Sequence, residues 1–99
     1  MTTESLISIV DDLTKRQQEC INFFRDIRSI GSPKWESMSD KTFKVHDDFT
    51  TFWDNLEDAQ IAIDANVSHK IAEALNVDHK IKKLVETIQK HKNQRQQDL

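Results

Sequence analysis

Residues 31–63 read GSPKWESMSDKTFKVHDDFTTFWDNLEDAQIAI, and Gly31 and Pro33 are the only glycine and proline in the chain. Glycine enters the left-handed conformation that ends a helix without strain. Serine is a preferred N-cap, and proline at the first helical position gives up no hydrogen bond. One helix is therefore predicted to stop at Gly31 and another to start at Pro33. From there Trp35, Met38, Thr42, Val45, Phe49, Phe52, Leu56, Ala59 and Ile63 recur at alternating spacings of three and four. That is the seam of a helix packed in the coiled-coil manner. Ser37, Ser39 and Thr42 are mediocre helix formers, and Ser39-Asp40 offers a later start.

Upstream, the same spacing links Leu6, Val10, Leu13, Gln17, Cys20, Phe24 and Ile27. Ile9, Phe23 and Ile30 widen it to the broad stripe of a globular bundle. Thr2 or Thr3 can cap this helix, with Glu4 in its first turn. Downstream, the seam runs Val67, Ile71, Ala74, Asp78, Ile81, Val85 and Ile88, flanked by Leu75, Val77 and Leu84. The junction at 64–68 has neither glycine nor proline; Asn66 can turn the chain, and Asn66 or Ser68 can cap the third helix. Asn76-Val77-Asp78 offers a stutter or short break, and the polar stretch after Ile88 is expected to fray. The expectation is an all-α, up-down-up antiparallel three-helix bundle with long helices over about residues 3–30, 33–64 and 67–93. It would form a single domain over 1–95 with a tail at 96–99. Should 64–68 fail to turn, the second and third helices would fuse into a rod of about 90 Å that needs a dimer to bury its face.

Composition agrees. In 99 residues, 31% are charged and 36% apolar. So few turn residues exclude a β-sandwich, a small barrel or a glycine-rich phosphate loop. One cysteine excludes an internal disulfide framework and a multi-cysteine zinc site. No apolar run approaches ~18 residues, so no membrane insertion is expected. The N-terminal residues lack the features of a signal peptide, and an intracellular location, cytoplasmic or nuclear, is expected. Net charge is −3, with the acids concentrated in 36–66 and the bases in 67–99. Adjacent antiparallel helices of opposite charge disfavour wrong pairings, although each exposed ion pair is weak. Each seam holds one polar residue: Gln17, Thr42 and Asp78. Tight turns put Gln17 and Asp78 in adjacent layers, with Arg16 near Asp78. A buried polar layer would fix register; alternatively Asp78 caps a broken helix and faces water.

Chemistry is sparse. His46, His69, His79 and His91 match no metal-binding spacing and read as solvated surface residues. Cys20 lies on a seam, without a neighbouring base or electropositive opening. Asp47, Asp48, Asp54, Glu57 and Asp58 read as a solvated face rather than an acid–base pair in a cleft. The basic stretch Lys80, Lys82, Lys83, Lys90, His91, Lys92 and Arg95 is a candidate for phosphate contact, but the sequence pI of about 5.7 is far from that of a nucleic-acid binder. Asn66-Val67-Ser68 matches a glycosylation acceptor by coincidence. No catalytic residue, metal or cofactor is expected.

Phe43 and Ile61 lie off the second seam and, eighteen residues apart, point the same way. Trp53 sits at the seam's edge. These three are the candidate partner-binding residues of a non-enzymatic, helical protein–protein interaction module, such as an adaptor, regulatory protein or complex subunit. The expected partner is another protein, helical in kind, or a second copy in a homodimer. No small-molecule substrate is expected, and weak nucleic-acid contact through the basic third helix is an alternative. The shape is similar to that of spectrin-type repeats, which speaks to architecture alone. Trp35-Glu36-Ser37 between two helical patterns resembles the Trp-x-Gly turn of small helical-hairpin proteins exported by type VII secretion. That resemblance implies a secreted substrate or partner protein as a further alternative. Here Ser37 replaces the glycine, the chain has no tyrosine, and a third amphipathic segment lies downstream.

Overall fold

The computed structural model describes residues 3–25, 30–59 and 64–97, excepting the side chains at 3, 58, 59 and 95–97. It contains three helices, α1 (Thr3–Arg25), α2 (Pro33–Ala59) and α3 (Ala65–Gln97). The seam residues turn inward: Leu6, Val10 and Leu13 from α1, Met38, Val45 and Phe49 from α2, Ile71, Ala74 and Ile81 from α3. Each helix packs against the other two.

Cross-helix contacts give the directions. Arg16 meets Asp48 while Glu19 meets Lys41, so α1 and α2 run antiparallel. Asp11 meets Lys70 and Gln17 meets Ala74, so α1 and α3 run parallel. His46 meets Asp78 and Glu36 meets Lys92, so α2 and α3 run antiparallel. The protein is an all-α, up-down-up three-helix bundle measuring 51 × 24 × 18 Å. Because α3 folds back along α2, the fused rod does not form.

The first reversal matches the sequence closely. Gly31 takes φ 90°, in the left-handed region. Ser32 caps α2: its Oγ accepts the Trp35 N–H at 3.1 Å, and its carbonyl accepts the Glu36 N–H at 2.9 Å. The helix thus starts at Pro33 and not at the later Ser39-Asp40. Ser39 and Thr42, both fully buried, donate their hydroxyls to the carbonyls of Trp35 and Met38. Each weak helix former is satisfied by the turn before it.

At the second reversal the cap is Asp64, where Asn66 or Ser68 was expected. Its Oδ1 accepts the Val67 N–H at 2.9 Å, and its carbonyl accepts the Ser68 N–H at 3.0 Å. A carboxylate at this position both fills an orphan donor and meets the positive end of the helix dipole. α3 then runs unbroken through Asn76-Val77-Asp78 and continues to Gln97, past the expected fraying point. Ile88 is buried and Lys92 lies against α2, which holds these last turns. Ile30 lies in the first turn and Asp64 caps α3, so, against the expectation from the seams, the first helix does not reach 30 nor the second 64; the seam positions Ile27 and Ile63 fall within 26–29 and 60–63, outside the described residues.

Asp64→Ala should lower the unfolding free energy by about 1 kcal/mol in urea titration, whereas Ser68→Ala should change it by less than about 0.5 kcal/mol.

Candidate interaction surface on the second and third helices

The register between α2 and α3 is marked by His46, whose Nδ1 lies 3.1 Å from Asp78 Oδ1; the two side chains are only 26% and 13% exposed. Toward the start of α2, Lys92 Nζ stands 5.1 Å from the centroid of the Phe43 ring. The same ammonium lies 3.6 Å from Glu36 and 3.9 Å from Asp40. Toward the end of α2, Trp53 stacks on Phe49 with centroids 6.4 Å apart and planes inclined by 22°. Trp53 follows His46 by seven residues, close to two helical turns, so it sits on the same side of α2 as His46, and Phe43 with its Lys92 contact lies on that side too. Both rings are half-buried. Ile61, the third expected anchor, lies outside the described residues.

Phe43 is better covered than its off-seam position suggested. A lysine from α3 sets its ammonium over the ring, an arrangement favourable by cation–π attraction. Among the described residues, the large hydrophobic side chain that counts as exposed is Ile30, at 50%, beside Gly31.

Several polar residues sit elsewhere than expected. His46 is not a solvated surface histidine but bridges two helices. Arg16 does not reach Asp78: it binds Asp48 at 2.7 Å and, within its own helix, Asp12 at 3.4 Å. Arg16 and Asp78 approach α2 from opposite flanks, so α2 separates them. The hydrogen bond that Arg16 donates to Asp48 holds the guanidinium pKa above the ordinary value, against a smaller effect of burial. Asp48 also lies 3.9 Å from Lys44 and so leaves the solvated acidic face, which retains Asp47, Asp54 and Glu57; the Asp58 side chain is outside the described residues. His69 and Glu73 pair across one turn at 3.1 Å in the open, as their spacing suggested. On α3, Lys80, Lys82, Lys83 and Lys90 are exposed, while Lys92 turns in toward Phe43; the Arg95 side chain is outside the described residues.

The core holds a polar group that is only partly satisfied. Gln17, fully buried, donates from Nε2 to the Ala74 carbonyl at 3.3 Å. Its Oε1 has no partner. Asp78 lies one helical turn beyond Ala74, on the α2 side. A signal for the flank residues was present in the sequence: Asp78, Val85 and Lys92 repeat by sevens, as do His46 and Trp53.

Among the described residues, two depressions stand out. One of about 310 Å³ lies between α1 and α2, floored by Cys20 and rimmed by Arg16, Glu19, Lys41 and Lys44. Its charges are largely spoken for, since Lys41 pairs with Glu19 at 3.6 Å and Arg16 with Asp48. Cys20 is 2% exposed, and burial pushes its pKa up. The other is a shallow groove of about 550 Å³ along α3, lined by Val85, Glu86, Gln89, Lys90, Asn93 and Gln94. Among the described residues, no three histidine, cysteine or carboxylate side chains come together as a metal site. Nor is any helix long and apolar enough to cross a membrane. No protein-family model, curated protein or solved structure matches the chain.

A raised thiol pKa means little thiolate, and burial blocks access. Cys20 should react with a disulfide reagent at pH 8 far more slowly in the folded protein than in guanidinium, where the ordinary thiol pKa returns. Because the folded thiol pKa is raised, its stabilising contribution is present below the ordinary thiol pKa and is lost as pH rises through the folded value. Gln17→Met, which removes the unpaired Oε1 at similar volume, should raise stability by about 1 kcal/mol in thermal or urea unfolding.

Proposed function

We propose that this chain is a non-enzymatic helical protein–protein interaction module that presents the α2–α3 flank to another helix. One observation carries the reading: two aromatic rings, Phe43 and Trp53, stand half-exposed on a single flank and are each held in place, by Lys92 and by Phe49. Aromatic side chains fixed on rigid helices lose little entropy on binding and are frequent anchors of interfaces. Neither of these two depressions supports a competing chemistry, because the thiol below one is buried with its pKa pushed up and the other is a shallow, open groove. A single reduced cysteine suits an intracellular setting.

Affinity purification of the tagged chain from its native source tests the reading. The double variant Phe43→Asp/Trp53→Asp, with circular dichroism confirming unchanged helicity, should lose at least one partner that the parent chain retains. The expected loss of affinity is at least about thirtyfold, as for removal of interface anchors. Retention of every partner by the folded variant would overturn it.

A further inference from the structure

We infer that the Trp53 half of the flank takes a basic amphipathic helix, with an apolar residue against Trp53 and lysine or arginine side chains along Asp47, Asp54 and Glu57; the inference rests on the interaction reading and names the chemistry of the partner. Spacing by sevens places the three carboxylates. Asp47 and Asp54 continue the row of Asp40, and Glu57 continues the row of Phe43. Asp40 and Phe43 both meet Lys92 of α3, so both rows run along the side of α2 that borders α3. Asp47, Asp54 and Glu57 are exposed, and among the described residues none of them meets a cation.

Nothing in the neighbourhood balances them. From Val45 to His69 the chain has no lysine or arginine. Lys41 and Lys44 turn toward α1, one to Glu19 and the other to Asp48, which holds Arg16. Lys70, on the facing stretch of α3, is drawn to Asp11 of α1 at 3.2 Å. α2 carries Glu57 close to its end and has no base in its last turn, although the negative end of a helix dipole favours cations. Asp54 and Glu57, three residues apart, also repel one another. Local rules are thus broken together beside one half-buried tryptophan, as happens where a surface is kept for binding. The Phe43 half differs: Glu36, Asp40 and Glu86 stand there with Lys82, Lys90 and Lys92, a mixture that selects no sign.

The layout of the charge gives the form of the partner. Asp47 to Glu57 covers about 15 Å along the helix, too far for one small cation to serve all three. Phosphate-rich surfaces, nucleic acid or anionic lipid, are repelled. A helix laid beside α2 repeats side chains at the same intervals, so a basic edge can follow the carboxylates while its apolar stripe covers Trp53.

The probe is a leucine–lysine peptide of about 18 residues patterned as an amphipathic helix, with a leucine–glutamate peptide of the same pattern for comparison. Each is titrated into the full chain by calorimetry. The lysine peptide should bind at least about tenfold more tightly than the glutamate peptide, and less tightly as salt rises. Its binding should shift the emission of Trp53, and the shift should vanish in Trp53→Phe, because Trp35 is buried. Asp47→Asn/Asp54→Asn/Glu57→Gln should weaken binding at least about tenfold, whereas Glu4→Gln/Glu19→Gln/Glu73→Gln, which removes the same charge from exposed positions elsewhere, should change it less than about threefold. No binding, equal affinity for the two peptides, or equal losses in the two triple variants overturns the inference. Self-association of the parent chain, seen by sedimentation equilibrium and abolished by the first triple variant, makes the occupant a second copy and also overturns it. The interaction reading fails separately, on the capture experiment: a partner lost by Phe43→Asp/Trp53→Asp but kept by the first triple variant overturns the basic helix alone.

Discussion

Burial of three apolar seams at once is the constraint on which this structure depends. Val45, Ala74 and Ile81 are completely shielded, one from α2 and two from α3, and Val10 of α1 is nearly so. No single helix here can hide its stripe alone, and two would leave part of each stripe wet. Isolated helices of this length are marginal in water, so the stability of each one comes from the others. That mutual dependence makes the two reversals decisive. Ser32 and Asp64 satisfy the helix starts directly after the chain turns back, and Gly31 supplies the backbone conformation the first turn needs.

Polar groups within this bundle do two different jobs. Ser39 and Thr42 bond to the preceding turn of their own helix and leave nothing unpaired. Gln17 instead reaches across to α3 and leaves Oε1 without a partner. A cross-helix bond of this type weakly favours one register of α1 against α3, at some expense in stability. The half-buried pairs Arg16–Asp48 and His46–Asp78 act from the two flanks of α2 and align it with α1 and α3 respectively. Register is thus marked on each of the three helix pairs by a different polar contact.

Folding also rearranges charge. Along the chain, acids dominate the middle and bases the final third. In the bundle, Asp11 and Asp12 of α1 come to the same end as Asp54 and Glu57 of α2, because those two helices run antiparallel. The lysines of α3 from Lys80 to Lys90 are carried toward the opposite end. The result is a rod with an acidic pole and a more basic pole.

The amino-acid order by itself determined that the chain is helical, where the first reversal falls, and which side chains face inward. These are local matters: periodicity, a glycine, a cap and a proline act within a few residues of one another. It also marked Phe43 and Trp53 as residues left over from the seams. Three-dimensional packing decided how far they are covered, which acid meets Arg16, and that His46 bridges to Asp78. It also decided that α3 stays helical past Asn76-Val77-Asp78, where neighbouring helices outweigh a locally weak stretch. Those outcomes depend on which flank of each helix faces which neighbour. A seam period specifies the direction of the core but leaves open which flanking residues meet on either side.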